Sequence, residues 1–398
     1  MSYICDTHIC DTQFCDIKQN IMEIKNPFLF GKIVTDENFC NRQQEISKLK
    51  TYINDCFSVW LFAPRRYGKS SLIQKVFNET KNVKTIYFDL YNIQSLDDFC
   101  RKYSSLLAKE LFDWKQDVKS LTGKFAQYFK NLYPKVSFDE FGTPSFSLDQ
   151  KNIENQPDIE TILDIPNQIA KNNKIQICIA FDEFQEIERL DKFLINWMRT
   201  SFQNQKNVSY IFLGSKQSLM SSIFTSLNSP FYEFAVKMEI KPIETSELEQ
   251  FIRQKFQTCN MEISDKNISE ILLKSECHPH FTQYFSSVVF DFIRNGENQN
   301  DENFIEKWIQ SILNSQSMIF QNIYDQLNNN QRRLLIAIST SANNSEIFSK
   351  EMREKYNLPT SSSLNTVLKS LLNKDLIKKD ENLYKIINPV FKEWLNRI

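Results

Sequence analysis

The residues best suited to chemistry lie at positions 68–71, which read Gly-Lys-Ser-Ser. An apolar stretch of strand type, 58–62, precedes them, and residues 72–77 follow with apolar side chains at helical spacing. A strand, a tight loop and a helix form a phosphate-binding P-loop, in which backbone N–H groups and the positive end of the helix dipole face the phosphates. There Lys69 would contact the β- and γ-phosphates of a nucleotide, and Ser70 would be a ligand of Mg²⁺.

The loop departs from the usual P-loop pattern at its first position, where Ala63 replaces glycine. Alanine does not readily adopt a positive φ, so we expect the loop to begin with ordinary backbone geometry. Gly68 is present beside the lysine, where the backbone must pass closest to phosphate. A chance Gly-Lys-Ser in a surface turn is the alternative, and the flanking strand and helix disfavour it.

A pair of acids ends a second apolar run, residues 175–183, which reads Ile-Gln-Ile-Cys-Ile-Ala-Phe-Asp-Glu. Such a run predicts a strand buried in a parallel sheet, and ligands bind at the C-terminal ends of these strands. Asp182 would hold the Mg²⁺ shell, and Glu183 would polarise the attacking water. A buried strand followed by two solvated acids is the alternative, but the P-loop earlier in the chain favours a nucleotide site.

Length and composition limit the class of protein. A chain of 398 residues predicts two or three domains, and its 41% apolar and 24% charged residues are typical of a soluble globular protein. The net charge of −1 excludes a chain that is basic throughout and binds nucleic acid with its whole surface. No membrane-spanning run or signal peptide is visible, and the nine cysteines are scattered singly. We therefore expect a cytoplasmic protein with reduced thiols and no membrane partner.

The first 21 residues differ from the rest, because Cys5, Cys10 and Cys15 recur at a five-residue period, each followed by Asp. A metal site is one interpretation, but metal ligands favour paired short spacings such as C-x2-C. A tandem DNA repeat translated in frame explains the pattern better. We expect residues 1–21 to be a disordered leader and Met22 to be the natural start.

Strands alternating with helices predict an α/β fold with a doubly wound parallel sheet, that of a P-loop NTPase, over residues 22–240. Strands are predicted at 58–62, 85–90, 175–183 and 208–213, and helices at 43–56, 72–77, 96–114, 159–172 and 193–203. Asn41 can cap the first helix, and Glu45 lies in its first turn. Residues 115–160 form an insertion, in which 136–138 and 145–148 could pair as a hairpin.

The C-terminal part of the chain predicts two further domains. Residues 241–330 contain only helices, which form an all-α lid, and residues 331–398 predict three helices and a hairpin, a winged helix. The winged helix carries 12 Lys and Arg and 7 Asp and Glu, a net charge of +5, against −6 for the rest. Basic charge on such a unit indicates nucleic-acid binding, but winged helices also bind proteins, and both partners stay open.

These features together resemble the ATPase family described as predominantly archaeal, a branch of the STAND and AAA+-related P-loop ATPases. The resemblance runs from about residue 26 to the C-terminus. It rests on five strings: Asn41-Arg42 with Glu45, Pro64-Arg65-Arg66-Tyr67-Gly68-Lys69-Ser70-Ser71, Phe181-Asp182-Glu183-Phe184-Gln185-Glu186, Gly214-Ser215, and Ser229-Pro230-Phe231-Tyr232. The family commonly has Pro-Arg-Arg instead of the first P-loop glycine, which accounts for Ala63.

The resemblance implies roles for the matching residues. The nucleotide would be bound by the run Pro64, Arg65, Arg66, Tyr67, Gly68, Lys69, Ser70 and Ser71, although the two arginines could also be simply solvated. Ser215 would be a catalytic sensor near the γ-phosphate, with an ordinary Gly-Ser turn as the alternative. His278 could contact the nucleotide from the lid, but Pro279 at a helix start explains that turn by structure alone, which is the favoured alternative.

Arg199 would be an arginine finger acting on the site of a neighbouring copy, which requires a nucleotide-dependent homo-oligomer. A helix C-terminus also attracts arginine through its dipole, so a structural role is the alternative.

The leading hypothesis is an Mg²⁺-dependent ATPase that binds ATP and ADP and acts as a nucleotide-driven conformational switch. Its winged helix would bind double-stranded DNA or a protein. A nucleotide-gated DNA-binding or scaffold protein with negligible turnover is the alternative. A small-molecule kinase is disfavoured, because neither the lid nor the winged helix adds a second substrate pocket.

Overall fold

The computed structural model describes residues 24–112, 128, 133–138, 144–149, 159–340, 347–380 and 383–398. The leader predicted at 1–21 and most of the insertion predicted at 115–160 lie outside these residues. The described chain forms two units. One comprises residues 33–242, and the other comprises residues 24–32 together with 243–398.

The first unit is an α/β fold. In chain order its elements are α1 (Gln43–Asn54), β1 (Val59–Phe62), α2 (Lys69–Glu79), β2 (Val83–Asp89), α3 (Leu96–Leu111), β3 (Tyr133–Phe138), β4 (Pro144–Asp149), α4 (Ile159–Asn173), β5 (Gln176–Asp182), α5 (Ile187–Leu190), α6 (Leu194–Phe202), β6 (Val208–Gly214), α7 (Gln217–Thr225) and β7 (Val236–Glu239). All four strands predicted for the sheet are present, but β7 was not predicted.

The main sheet has the strand order β2-β5-β6-β1-β7, and each neighbouring pair is parallel. This confirms the predicted doubly wound parallel sheet. Strand β6 lies between β1, which precedes the P-loop, and β5, which ends in the two acids. The C-terminal ends of all three strands meet at one edge, where open α/β sheets bind ligands.

Alternate residues of the central strands face two hydrophobic cores. In β5, Ile177, Ile179 and Phe181 belong to a core that also contains side chains of α3, α4 and α6. Cys178 and Ala180, on the other face, pack with side chains of α1 and α2. Because successive residues of a strand point to opposite faces, a strand covered on both faces must be apolar throughout. This explains the unbroken apolar run that precedes the acids.

Strands β3 and β4 form a separate antiparallel hairpin, with Tyr133 opposite Asp149 and Phe138 opposite Pro144. This confirms the hairpin predicted for the insertion, although the strands extend beyond residues 136–138 and 145–148.

The described residues of the second unit form ten helices and strands. In chain order they are α8 (Thr245–Gln257), α9 (Asp265–Ser275), α10 (Pro279–Arg294), α11 (Phe304–Asp325), α12 (Asn329–Thr340), α13 (Lys350–Lys355), α14 (Ser361–Asn373), β8 (Ile377–Asp380), β9 (Leu383–Ile386) and α15 (Pro389–Leu395). Helices α12, α13 and α14 with the antiparallel pair β8–β9 form the predicted winged helix.

Helix α15 was not predicted, although its sequence contains two start signals. The Asn388 side chain accepts hydrogen bonds from the N–H groups of Val390 and Phe391, and Pro389 is the first helical residue. The helix also joins the winged helix to α9 through two ion pairs. Glu393 accepts from Lys274 at 3.0 Å, and Lys392 lies 2.6 Å from Glu276.

Residues 24–32 pack with the second unit, whereas the sequence placed them at the start of the ATPase core. The ring of Phe28 is 3% exposed and contacts the rings of Phe251, Phe256 and Phe290. The Asn26 amide donates to the carbonyl oxygen of Ser287 at 2.9 Å. An isolated Phe in an irregular segment gives no periodic signal, so the sequence could not predict where this ring is buried.

Replacing Phe28 with Ala should destabilise the second unit by about 3–5 kcal/mol, because it empties a fully enclosed ring site. Phe30→Ala is the matched control, since Phe30 lies two residues later and its side chain is 42% exposed. Its cost should stay below about 1 kcal/mol. Denaturant unfolding of the full chain measures both, and equal midpoints for the two variants would contradict the packing of Phe28.

Candidate functional site

The P-loop joins β1 to α2 with two residues in the left-handed region. Gly68 has φ 84 and caps α2, which begins at Lys69, and Arg66 has φ 63. Ala63 is buried and does not have a positive φ, as expected from its type. A Cβ placed on Gly68 would meet nothing within 4 Å, so the space beside this glycine is open.

Lys69 is buried at the start of α2. Its Nζ donates to the carbonyl oxygens of Ala63 at 2.9 Å and of Pro64 at 3.1 Å, which folds the side chain back along the loop. Burial lowers the pKa of Lys69, and the negative charges of Glu183 and Asp182 partly offset this. An anionic group in the loop would provide the opposite charge that a buried ammonium requires.

Asp182 connects the P-loop helix to β5. Its Oδ2 accepts a hydrogen bond from the Ser70 hydroxyl at 2.8 Å and another from the Tyr87 hydroxyl. Its Oδ1 accepts from the N–H of Glu183 at 2.8 Å. The two residues that the sequence predicted as Mg²⁺ ligands, Ser70 and Asp182, therefore lie in direct contact.

Tyr87 is a site residue that sequence reasoning missed. It lies on β2, which pairs with β5, and its phenol reaches the carboxylate of Asp182. Burial and the charge of Asp182 raise the pKa of Tyr87 well above its ordinary value, so the phenol stays a neutral donor. A tyrosine within an apolar strand gives no signal that distinguishes a polar contact from core packing.

Glu183 follows β5 in a left-handed conformation, with φ 50, that begins a 3₁₀ turn at Phe184–Glu186. Its Oε2 accepts a hydrogen bond from the Ser215 hydroxyl at 3.0 Å and another from the side-chain amide of Gln185. Ser215 follows β6, which lies between β1 and β5 in the sheet. The structure thus brings Ser215 and Glu183 into contact, a hydrogen bond that the sequence did not predict; the sensor role of Ser215 near a γ-phosphate stays a prediction.

Arg42 supports the P-loop from α1 and was not assigned a role from the sequence. It is 5% exposed, and its guanidinium donates to the carbonyl oxygens of Tyr67 at 3.3 Å and Lys241 at 3.0 Å. It also pairs with Glu45 at 3.3 Å. Arg42, with φ 68, occupies the cap position of α1, while the Asn41 side chain accepts from the N–H of Gln43.

The remaining loop residues differ in exposure. Arg65 and Arg66 are exposed, and Tyr67 is buried. The hydroxyl of Ser71 accepts from the N–H of Val34 at 3.1 Å, so it anchors the segment that enters the first unit.

Arg199 does not join the hydrogen-bond network around Glu183. Its Nε donates to the carbonyl oxygen of Pro230 at 2.9 Å, and its guanidinium lies over the ring of Phe234, 4.8 Å from the centroid. A second nitrogen donates to Gln203 at 2.6 Å. These contacts hold the Ser-Pro-Phe-Tyr turn against α6, and they account for the arginine by structure alone.

His278 belongs to the second unit, where it is buried and caps α10 ahead of Pro279. Cys277 before it has φ 52, in the left-handed region that favours glycine. The ring of His278 packs edge-on against Phe281. Its role toward a nucleotide stays a prediction.

The oxygen donors of the site suit Mg²⁺. This ion usually keeps several waters and takes one or two protein ligands together with phosphate oxygens. Ser70 and Asp182 provide a hydroxyl and a carboxylate of this kind. Within the described part of the chain, no three His, Cys, Asp or Glu side chains form a cluster that could hold a metal ion. Mg²⁺ here would therefore depend on the nucleotide for its remaining ligands.

Some cationic side chains of the winged helix form ion pairs with acidic side chains of the second unit. Lys392 pairs with Glu276, and Arg397 pairs with Glu306 at 2.5 Å and with Glu393 at 3.0 Å. Lys378 is half-buried, and burial lowers its pKa. The exposed lysines nearest the third helix and the hairpin are Lys369, Lys374 and Lys379. The net charge of +5 thus overstates the charge available to a nucleic acid.

Comparisons with known proteins agree with this architecture. A family model described as "ATPase domain predominantly from Archaea" matches residues 39–278, and one described as "Probable winged helix domain" matches residues 318–397. No curated protein sequence matches the chain. Among the helices of the described residues, none has the length and apolar character needed to cross a bilayer.

Solved structures with the same fold include the following two. The Walker-type ATPase PABY2304 of Pyrococcus abyssi is 20% identical, with a TM-score of 0.65 over 94% of this chain and 100% of that one. The ORC2 protein of Aeropyrum pernix, solved as ADPNP–ADP complexes, is 12% identical, with a TM-score of 0.52 over 94% and 97% of the two chains. At these identities the likeness extends to the fold alone.

Proposed function

Because this chain belongs to the family of ATPase domains found predominantly in Archaea, we propose that it binds ATP with Mg²⁺ and hydrolyses it. The observation that carries the proposal is the convergence of the P-loop and the two acids. Ser70 donates to Asp182, and Ser215 donates to Glu183, although β5 and β1 are not neighbours in the sheet. The nucleotide complex of the similar ORC2 structure supports ATP or ADP as the ligand.

Each residue then has a role that its geometry supports. Lys69 and the loop N–H groups would bind the β- and γ-phosphates, with Pro64, Arg65, Arg66, Tyr67, Gly68 and Ser71 completing the nucleotide-binding loop. Ser70 and Asp182 would hold Mg²⁺, which when bound neutralises charge on the phosphates. Glu183 would accept a hydrogen bond from the attacking water, and Ser215 would orient Glu183 beside the γ-phosphate.

The finer parts of the proposal concern what hydrolysis does. We infer a nucleotide-driven conformational switch whose winged helix contacts DNA or a protein. His278, in the second unit, is a candidate to contact the nucleotide. An arginine-finger role for Arg199 in a nucleotide-dependent homo-oligomer would require its guanidinium to leave Pro230 and Phe234. A nucleotide-gated scaffold with negligible turnover is the competing proposal.

Lys69→Ala should weaken ATP·Mg²⁺ binding about 10- to 100-fold, because it removes the buried cation that charge-assisted hydrogen bonds to phosphate require. Lys75→Ala is the matched control. Lys75 lies on the same helix and pairs with Glu79 at the surface, so its replacement should leave the affinity unchanged. Titration calorimetry measures both. Equal affinities for the parent and Lys69→Ala would show that the nucleotide binds elsewhere.

Glu183→Gln should keep ATP affinity and lower kcat about 10²- to 10⁴-fold, because an amide does not accept a proton from water. Asp182→Asn should instead raise the Mg²⁺ concentration needed for half-maximal ATP binding, because it removes a charged ligand. Phosphate release and Mg²⁺ titrations separate the two effects. Unchanged turnover in both variants would reject the assignment of this strand, and no turnover by the parent chain would favour the scaffold proposal.

Any DNA contact by the winged helix should depend on its exposed lysines and weaken steeply with salt, because neutralised phosphates release counterions. The double variant Lys369→Glu with Lys379→Glu should therefore reduce binding and flatten the salt slope. Lys81→Glu with Lys84→Glu, exposed positions on the first unit, changes the net charge equally and is the control. A gel-shift assay at low salt tests both. Absence of binding by the parent chain, with and without ATP, would indicate a protein partner.

A further inference from the structure

Gln185 lies two residues after Glu183, inside the 3₁₀ turn that follows β5. Its side chain is almost fully buried, with 4% of its surface exposed. Its amide nitrogen donates to Oε2 of Glu183. Among the described residues, its own carbonyl oxygen Oε1 has no hydrogen-bond partner.

The stability of the fold does not explain why position 185 carries an amide. A buried polar atom without a partner costs about 1–3 kcal/mol, and an apolar side chain of the same shape would avoid that cost. The surroundings are apolar, since Phe184 beside it is fully buried and Met220 packs nearby. Strained or unpaired buried polar groups that lower stability commonly mark functional sites.

Gly214 leaves space for the Gln185 side chain. Gly214 ends β6, and a Cβ built there would lie 2.7 Å from Oε1 of Gln185 and 2.3 Å from the Met220 side chain. At separations below 3.0 Å a neighbour must shift, and here the neighbours are the flexible side chains of Gln185 and Met220. A side chain at position 214 would therefore displace Gln185 or Met220, and the glycine before Ser215 leaves both in place.

Two donors thus meet one oxygen of the carboxylate. Ser215 donates to Oε2 of Glu183 at 3.0 Å, and Gln185 donates to the same Oε2. No described side chain donates to Oε1. A carboxylate held at one oxygen by two donors from different elements has its orientation restricted, and its other oxygen stays available to accept a hydrogen bond.

We propose that Gln185 is a positioning residue of the ATPase site: with Ser215 it holds Oε2 of Glu183, so that Oε1 accepts the hydrogen bond of the attacking water. The proposal rests on the proposed ATPase function and adds to it the residue that orients the general base. It assigns Gln185 no contact with the nucleotide. Its effect is therefore expected in kcat and not in ATP affinity.

Gln185→Met removes the donor and keeps the length of the side chain. We expect kcat to fall about 10- to 100-fold, the usual effect of losing a residue that orients a reacting group. The Kd for ATP should stay within about twofold, and the melting temperature should stay constant or rise, because an unpaired carbonyl leaves the core.

Gln205→Met is the matched control, and we expect it to lower stability and to leave kcat unchanged. Gln205 is equally buried, but its amide is fully bonded, to the carbonyl oxygen of Leu163, the hydroxyl of Ser201 and the hydroxyl of Tyr210. Its replacement leaves buried partners unsatisfied and should lower the melting temperature. The kcat of the folded protein should not change, because these contacts lie apart from Glu183.

A double-mutant cycle tests whether Gln185 acts through Glu183. In the Glu183→Gln background, Gln185→Met should cause no further loss in single-turnover hydrolysis, because the group it orients is already absent. An additional loss of the same size would overturn the proposal. So would an unchanged kcat in Gln185→Met, or a loss of ATP affinity that matches the loss in kcat.

These outcomes are distinct from failure of the proposed function. If the parent chain shows no hydrolysis, the ATPase proposal fails and the positioning role fails with it. If the parent chain hydrolyses ATP and Gln185→Met does so equally fast, only the positioning role is overturned.

Discussion

The site depends on the hydrogen bond between the Ser70 hydroxyl and the Asp182 carboxylate. Ser70 lies in the first turn of α2, which follows β1, and Asp182 ends β5, and β6 separates these two strands in the sheet. The start of α2 must therefore reach across the end of β6, and parallel pairing must bring all three strand ends to one level. Ser215, which follows β6, then falls between the P-loop and the acids and can contact Glu183. The same topology that separates the two motifs places the third group between them.

The site concentrates polar groups that do not favour the folded state by themselves. Lys69 is buried beside backbone carbonyls, Gln185 has an unpaired oxygen, and Glu183 adopts a left-handed backbone conformation. Each of these costs free energy, on the order of 1–3 kcal/mol for the strained or unpaired groups. The surrounding sheet, apolar on both faces, supplies the stability that offsets them. Such an accumulation at one edge of the sheet is typical of a functional site.

Aromatic packing and ion pairs connect the elements of the second unit. Phe28 fills an aromatic pocket among helices α8 and α10, and helix α15 joins the winged helix to α9 by the ion pairs of Lys274 and Lys392. Of these two cations, Lys392 is counted in the +5 charge of the winged helix, and here it pairs with Glu276. Net charge summed along a chain does not distinguish a lysine that faces solvent from one that pairs within the fold. Which partner the winged helix binds therefore depends on those of its residues that stay exposed to solvent.

The sequence by itself determined the elements whose signals are local. The apolar runs of β1, β2, β5 and β6, the helical periodicity and the Gly-Lys-Ser and Asp-Glu motifs all depend on neighbours a few positions apart. It did not reveal β7, a short edge strand in which only Met238 is buried, or the donors Tyr87, Arg42 and Gln185. Only the tertiary structure decided these contacts. Strand order brings Tyr87 to Asp182, and the turn after β5 brings Gln185 to Glu183, and a single sequence records no signal of either contact.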